Sequence, residues 1–378
     1  MRITIATGPL LPVPAARGGA IPRMWLGLAR EFARQGHHVC IFARRYPGQA
    51  ATEVEEGVHY LRAGGFDQGR SIALDLLKDL AYASRAVWQL PEAEILITND
   101  FWLPVLAGSL RRKAGRIVIN ANRFPKGQYF LYRRADRIAA ASSTVRNAIA
   151  AQTPALSDRI RIFPNPVDTG IMTPDESARV SNPRVLLYVG RLHPEKGVHV
   201  LTSTFAKLAA RHAGWRLRIV GPWKAEEGGG GEAYMQVLRD ALKGVPADIV
   251  GPKFDPGALA AEYRAASLFC YPSLAETGES FGLAVLEAMA CGLPPVVSAL
   301  DCFRDFVHEN ETGWIFNHRS AVQETGLAST LERAMADMPR ATAIGRQAGA
   351  FAKGFGYDRI AEQYLTEFNG LLRGGLHG

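Results

Sequence analysis

The apolar positions of this chain fall into short unbroken runs, and between those runs the apolar residues recur with helical spacing. Arg2–Ala6 reads as a strand. A loop rich in Gly and Pro follows, then an amphipathic helix over Pro22–Arg34 that stops at Gly36. His38–Ala43 is the next predicted strand, and Ile72–Leu90 has helical spacing. Glu94–Thr98, Arg116–Ile119 and Arg137–Ala141 read as further buried strands with helices between them. The segment FPNPVDTGIMTPDESARVSNPR (163–184) breaks this rhythm with Pro, Asp, Asn and Ser, and reads as a linker. The alternation then restarts. Val185–Val189 is a strand, Val198–Ala210 a helix and Leu217–Val220 a strand, and Ile249–Val250, Leu268–Tyr271 and Pro295–Ser298 continue the sheet. Residues 320–373 form a long predicted helical region rich in Ala, Arg and Leu, and GGGG at 228–231 reads as a flexible loop without chemistry of its own.

Strands alternating with helices indicate parallel βαβ units. Two such halves joined by a linker predict an α/β protein of two doubly wound domains facing a cleft. Ligands of open α/β sheets bind at the carboxyl ends of strands, so motifs just after strands carry the most weight.

The length of 378 residues suits two domains. Hydrophobic residues at 47% and charged residues at 21% place the chain among ordinary globular proteins. No run of eighteen uncharged apolar residues occurs, so no membrane-spanning helix is expected. The apolar start is not read as a signal peptide, because Gly8, Pro9, Pro12 and Pro14 interrupt it. Cys40, Cys270, Cys291 and Cys302 are scattered, as expected of small apolar residues in a reducing compartment, and the cytoplasm is the expected location. Charge changes the picture more. Residues 1–150 hold 21 Lys and Arg against 11 Asp and Glu, while the remaining residues hold 23 against 25. The first half therefore carries the whole basic excess. That excess reads either as solvated helices or as a surface for an anionic acceptor or an anionic membrane.

Three motifs carry candidate chemistry. In VGRLHPEKG (189–197), Arg191 and Lys196 follow a strand and precede a helix, which suits a diphosphate: Arg offers a planar fork and Lys a point charge. In SLAETGESFGLAVLEAMACGLPPVV (273–297), Glu279 and Glu287 have seven residues between them, with Ser280 read as the cap of a helix starting near Phe281. Gly282 removes a side chain where an anion would approach the first helical amides. At about 1.5 Å per helical residue, Ser280 and Glu287 stand roughly 10 Å apart. That is far for a retaining glycosidase pair, which wants about 5–5.5 Å. The two glutamates fit better as grips on two ends of an elongated ligand, since an ionised carboxylate accepts from sugar hydroxyls with both oxygens. In PVPAARGGAIPRMW (12–25), Gly18 and Gly19 let backbone approach a ligand, although no GxGxxG is present. Each motif also has a plainer reading as surface cations, an acidic helix start or a turn.

Together these motifs resemble those of glycosyltransferase family 4, enzymes that transfer a sugar from a nucleotide sugar with retention of configuration. The resemblance covers nearly the whole chain, through ARQGHHV (33–39), FPNPVD (163–168), VGRLHPEKG, ESFGLAVLEAMACGLPPVV and NETGWIF (310–316). It implies the GT-B fold of two Rossmann-like domains. The implied division is an acceptor-binding domain at 1–165, a linker at 166–183, a nucleotide-sugar-binding domain at 184–355 and a helix at 356–378, with a return to the first domain as an option for that helix. It implies that Arg191 and Lys196 grip the donor diphosphate, that Glu279 contacts the donor sugar and that Glu287 binds the ribose. The backbone of Phe281, Gly282 and Leu283 would cradle phosphate, Gly18 and Gly19 would lie near the sugar, and IVGPKF (249–254), with Lys253, would meet the base. No cofactor and no metal are implied. The nucleoside-diphosphate sugar is substrate, and no Asp-x-Asp or His/Cys cluster is evident. Expected partners are the nucleotide sugar and a saccharide, lipid-linked or anionic acceptor, with peripheral contact to an anionic inner-membrane face, and no nucleic acid.

The sequence departs from the family pattern in places. Asn122 in RIVINAN (116–122) stands where many relatives have a histidine, with Asn120 two residues before it. Asp100 in ILITNDFW (95–102) is read as an acceptor-side hydrogen-bonding or basic group. Pro166 and Ser280 replace common glycines, and the aromatic and basic stretch FPKGQYFLYRRADR (124–137) is expected on a helix, as packing or as an acceptor or membrane contact. The competing readings are an epimerase of the same fold and a donor-binding partner subunit with weak activity. A pyridoxal-phosphate phosphorylase lacks a lysine site here, and a dehydrogenase lacks its glycine fingerprint.

Overall fold

Arg2–Gly8 (β1) sits in the middle of a sheet because its apolar side chains are buried on both faces, as in the other central strands, of which Ile95–Thr98 is buried throughout. A computed structural model describes residues 1–14, 19–69, 71–110, 114–179, 182–320 and 326–374. By contacts the chain divides into two units, Met1–Pro166 with Tyr357–Gly378, and Val167–Gly356.

The first unit runs β1, α1 (Ala20–Arg34), β2 (His38–Arg44), β3 (Thr52–Glu55), β4 (Val58–Ala63), α2 (Ile72–Gln89), β5 (Ile95–Thr98), α3 (Leu103–Leu110), β6 (Arg116–Ala121), β7 (Arg137–Ala140), α4 (Ser143–Gln152) and β8 (Ile160–Ile162). Its sheet has the order β3-β4-β2-β1-β5-β6-β7-β8. Every pairing is parallel except β3 with β4, a hairpin closed by Glu56 and Gly57, both at positive φ. The edge strand β3 is exposed along its length, and its two glutamates blunt the open edge. One sheet face packs on α1 through Trp25, Leu28 and Phe32. The other packs on α2, α3 and α4 through Tyr82, Ala83, Leu103 and Val145.

The second unit runs β9 (Arg184–Val189), α5 (Val198–Ala209), β10 (Trp215–Val220), α6 (Gly231–Ala241), β11 (Ala247–Val250), α7 (Pro256–Ala265), β12 (Leu268–Tyr271), α8 (Leu283–Ala290), β13 (Pro295–Ser298), β14 (Trp314–Phe316), α9 (Leu327–Ala336) and α10 (Met338–Ala352). Its six-stranded sheet is parallel throughout, in the order β11-β10-β9-β12-β13-β14. Much of the stretch expected as a linker packs onto this unit: Met172 meets Cys291, and Arg264 donates to the carbonyls of Ile171 and Thr173. The last helix, α11 (Tyr357–Gly374), groups with the first unit. It buries Tyr364 and Phe368 against Trp25 and Phe32, and Tyr364 stacks on Phe163 at 4.1 Å.

Among the described residues, the expected helical region at 320–373 is three helices, α9 to α11, and two other expectations need correction. Asp337 caps α10 with a bond from the Arg340 amide, Pro339 enters its first turn, and Gly354 and Gly356 separate it from α11. Residues 124–137 hold no α-helix but a four-residue 3-10 turn, Tyr129–Tyr132. Pro125 and Gly127 (φ 94°) precede that turn, and burial of Tyr129 and Tyr132 fixes it. The GGGG loop is also tied down: the Gly230 amide donates to the Leu192 carbonyl.

Candidate functional site

The chemistry-bearing residues of the second unit gather at the carboxyl ends of β9 and β12. β9 ends in Val189, and Gly190 turns the chain at φ 156° into the loop that carries Arg191 and Lys196. β12 ends in Tyr271, and the following loop carries Glu279. These strands are neighbours in the sheet, so the two loops meet. Lys196 Nζ donates to Glu279 Oε2 at 2.8 Å, and both side chains are 8% exposed. A lysine and a glutamate buried this deeply persist only as a pair.

Two tyrosines wall this pair. Tyr188 and Tyr271 stack with centroids 5.7 Å apart, and Lys196 Nζ lies 6.0 Å from the Tyr271 ring centre. Burial pushes both phenols well up, and the nearby Glu279 charge adds to the shift. Both therefore stay neutral donors. Tyr188 donates to the Arg191 carbonyl at 2.9 Å. Arg191 is more exposed. Its guanidinium donates to the Gly228 carbonyl and to Glu195, each at 2.7 Å, so the glycine loop positions this arginine.

The expected cap on α8 differs. The helix starts at Leu283, not Phe281, and Ser280 does not cap it. Gly282 occupies the N-cap at φ 85°, and no side chain closes the first turn. A Cβ on Gly282 would stand 2.4 Å from the Phe303 ring, so glycine is required there both by φ and by space. The helix thus presents uncapped amides beside the loop of Glu279. Glu287, one turn further along, accepts from the Tyr263 hydroxyl at 3.0 Å. Phe281 is buried against Phe306. Sequence reasoning missed Tyr188, Tyr263 and Tyr271; their signal was an aromatic residue ending or facing a buried strand. It also missed what holds the Glu279 loop. Arg319 forks onto Glu276 while His318 bonds it at 2.8 Å, and Arg319 with His318 holds the Glu276 carboxyl below the usual range.

Family models give this geometry its place. The model for glycosyl transferases group 1 matches residues 173–350, and that for glycosyltransferase family 4 matches residues 21–170. The chain belongs to glycosyltransferase family 4. It is 26% identical to a D-inositol 3-phosphate glycosyltransferase of Kineococcus radiotolerans, over 97% of this chain and 94% of that one. A sucrose-phosphate synthase from Thermosynechococcus elongatus superposes with TM-score 0.80 at 22% identity, covering 98% of this chain and 99% of that one. HepE from Anabaena, solved with UDP and glucose, superposes with TM-score 0.73 at 17% identity, covering 98% and 100%. The fold is GT-B, with each half a Rossmann-like unit.

Lys253, in the loop after β11, stands 4.0 Å from Glu262, which is itself forked by Arg218. In the first unit, Gly19 is the N-cap of α1 at φ 112°, and Gly18 lies outside the described residues. Asn122, after β6, directs its amide at Met24 Sδ, 3.6 Å away. Asn120 donates to Asn99 at 2.6 Å, and Asn99 also receives the Trp25 indole, so the ends of β1, β5 and β6 share one polar network. Asp100 lies deep at the β5 end. Neither carboxyl oxygen has a hydrogen-bond partner among the described residues, and burial, with Asp79 nearby, pushes its carboxyl well up. That favours the neutral acid over the carboxylate at this position. Among the described residues no three His, Cys, Asp or Glu gather as a metal-holding group.

Gly197 is a sharp test of the loop. Its φ is 66°, and a Cβ there would stand 2.0 Å from the Pro272 carbonyl oxygen. Gly197→Ala is expected to lower stability by about 1–3 kcal/mol and to displace Lys196 from Glu279. Urea melts and diphosphate titration of the variant measure the two effects.

Proposed function

We propose that the chain is a retaining, metal-independent hexosyltransferase whose second unit binds a nucleoside-diphosphate sugar. The buried Lys196–Glu279 pair beside the uncapped start of α8 carries this reading. In the reaction the bond from the anomeric carbon to the diphosphate oxygen breaks, and negative charge grows on that oxygen. Lys196, Arg191 and the α8 amides supply positive potential where that charge appears, so they stabilise the transition state more than the ground state. Glu279 accepts from sugar hydroxyls once Lys196 turns to phosphate, and Glu287 accepts from the ribose. The acceptor oxygen attacks the same face from which the phosphate leaves, its proton passes to the departing phosphate, and configuration is kept. Three cationic or amide sources at one place make a divalent ion unnecessary.

The acceptor class follows from charge. The basic excess within residues 1–150 suits a phosphorylated or lipid-linked saccharide, and the relative named for D-inositol 3-phosphate agrees with an anionic acceptor. The first experiment is a thermal-shift panel of UDP, GDP, ADP, their sugar conjugates and NAD, followed by transfer assays with the donor found. One nucleoside diphosphate series should raise the melt, and Arg191→Ala should remove the rise. A ligand at a hundred times its Kd adds about 2.7 kcal/mol. The product should keep the donor's anomeric configuration, read by NMR, and EDTA should leave the rate unchanged. A shift by NAD alone, an inverted product, or loss of turnover in EDTA each overturns the corresponding part of the reading.

A further inference from the structure

We propose that Glu195 is a positioning residue that controls release of the product: it holds Arg191 for the diphosphate and, by meeting that anion with its own charge, keeps the spent nucleoside diphosphate from binding too tightly. This role rests on the donor site proposed above. Arg191, Lys196, Glu279 and Glu287 each have a part in the proposed transfer, and Glu195 has none. Its place is nonetheless central. Glu195 and Lys196 are consecutive in one 3-10 turn, Pro194–Lys196, which Gly197 closes at φ 66°. Their side chains leave that turn toward different partners, Lys196 to Glu279 and Glu195 to Arg191 four residues back. The Glu195 carbonyl also accepts from the Leu274 amide at 2.8 Å, so one residue ties the loop of Glu279 to the loop of Arg191.

Geometry sets what the carboxylate does. Glu195 Oε1 takes Arg191 Nη2 at 2.7 Å, while the Gly228 carbonyl takes Nη1. Both forks of a guanidinium, Nη1 with Nη2 and Nε with Nη2, include the nitrogen that Glu195 shares. A phosphate gripped by either fork therefore lies beside a carboxylate of its own sign. His193 does not relieve this. Its Nδ1 stands 3.8 Å from Glu195 Oε1 but accepts from the Glu195 amide, so it has no proton to give the carboxylate. The contrast with Glu279 is one of burial. Lys196 and Glu279 are sealed together, whereas Arg191 is 43% and Glu195 37% exposed. Water and salt reach the outer pair, and such a pair adds little to stability. It can part and re-form as an anion enters and leaves, which suits a site whose turnover ends in release of a diphosphate.

The test is calorimetric titration of the full chain with inorganic pyrophosphate and with UDP, GDP and ADP, in wild type, Glu195→Gln and Glu195→Asp. Gln keeps an oxygen for Arg191 Nη2 and removes the charge, and Asp keeps the charge. Glu195→Gln should bind pyrophosphate and the preferred nucleoside diphosphate about five- to tenfold more tightly than the wild type. Glu195→Asp should stay near the wild type, and the gap between Gln and Glu should close as salt rises. In transfer assays the donor KM and kcat should fall together in Glu195→Gln, because release of the product then limits turnover. An unchanged melting temperature without ligand confirms that the variants fold. A carboxylate that only steadies Arg191 gives the opposite sign, with weaker binding once its charge is gone. That result, or equal affinity in all three proteins, overturns the inference and leaves the diphosphate site standing. Failure of pyrophosphate and of every nucleoside diphosphate to bind the wild type overturns the donor reading itself, and the role of Glu195 falls with it.

Discussion

Replacing Glu279 by alanine is expected to cost both stability and turnover, and a compensating change at Lys196 is expected to return only the stability. The pair is 2.8 Å apart with both side chains nearly sealed from water. Removing the carboxylate leaves a buried ammonium without a partner, a change that costs about 3–5 kcal/mol. Replacing both residues with apolar ones of similar volume, Lys196→Met with Glu279→Leu, is close to neutral on the same grounds. Turnover behaves differently, because it depends on charge that develops in the transition state. Loss of one preorganised electrostatic partner costs about a hundred- to a thousandfold in kcat. The double variant should therefore unfold like the wild type and remain inactive. Nucleoside diphosphate should stabilise Glu279→Ala more than it stabilises the wild type, since phosphate then supplies the charge Lys196 has lost. Urea melts with and without the diphosphate, and initial rates across the three proteins, measure all of this. A double variant that regains turnover would remove the pair from the chemistry, and a Glu279→Ala as stable as the wild type would show that the pair is not sealed in solution.

Much of this site was legible before the structure, and the reason is local. Buried parallel strands need apolar runs, so Leu268–Tyr271 and Pro295–Ser298 stand out, and loops after such strands are where ligands bind. Arg191, Lys196, Glu279 and Glu287 were found by that position and by family resemblance together. What stayed hidden depends on contacts between distant segments. A lysine in a loop reads as exposed, and only the β9–β12 pairing brings Lys196 against Glu279, 83 residues away. The helix over 124–137 was inferred from aromatic and basic content, but Pro125 and Gly127 forbid it. The β3–β4 hairpin escaped because Thr-Glu-Val-Glu, lying on an open edge, has no apolar face to betray it. The start of α8 was misplaced by two residues because Ser280 looks like a cap. A glycine at φ 85° packed on Phe303 does that work through tertiary contact.

Asp100 gives the other large expected effect, and its sign is set by burial. The residue is 8% exposed, both carboxyl oxygens are buried without a partner among the described residues, Oδ1 faces the Gly8 backbone, and Asp79 stands near enough to oppose a second negative charge. Its folded pKa is therefore raised well above the unfolded value of about 3.9. An acid raised in the folded state binds its proton more tightly there than in the unfolded chain. Its contribution is fully present below about pH 4 and is lost as pH rises toward the folded value, by about 1.4 kcal/mol per pH unit. Asp100→Asn keeps the shape and removes the titration. The variant should match the wild type near pH 4 and become progressively more stable than it as pH rises, with the gap levelling once the wild-type carboxyl ionises. Urea unfolding of both proteins at several pH values between 4 and 8 reads the gap directly. Parallel curves would mean that water or a counter-charge reaches Asp100 in solution, and the acid at the β5 end would then be an ordinary carboxylate.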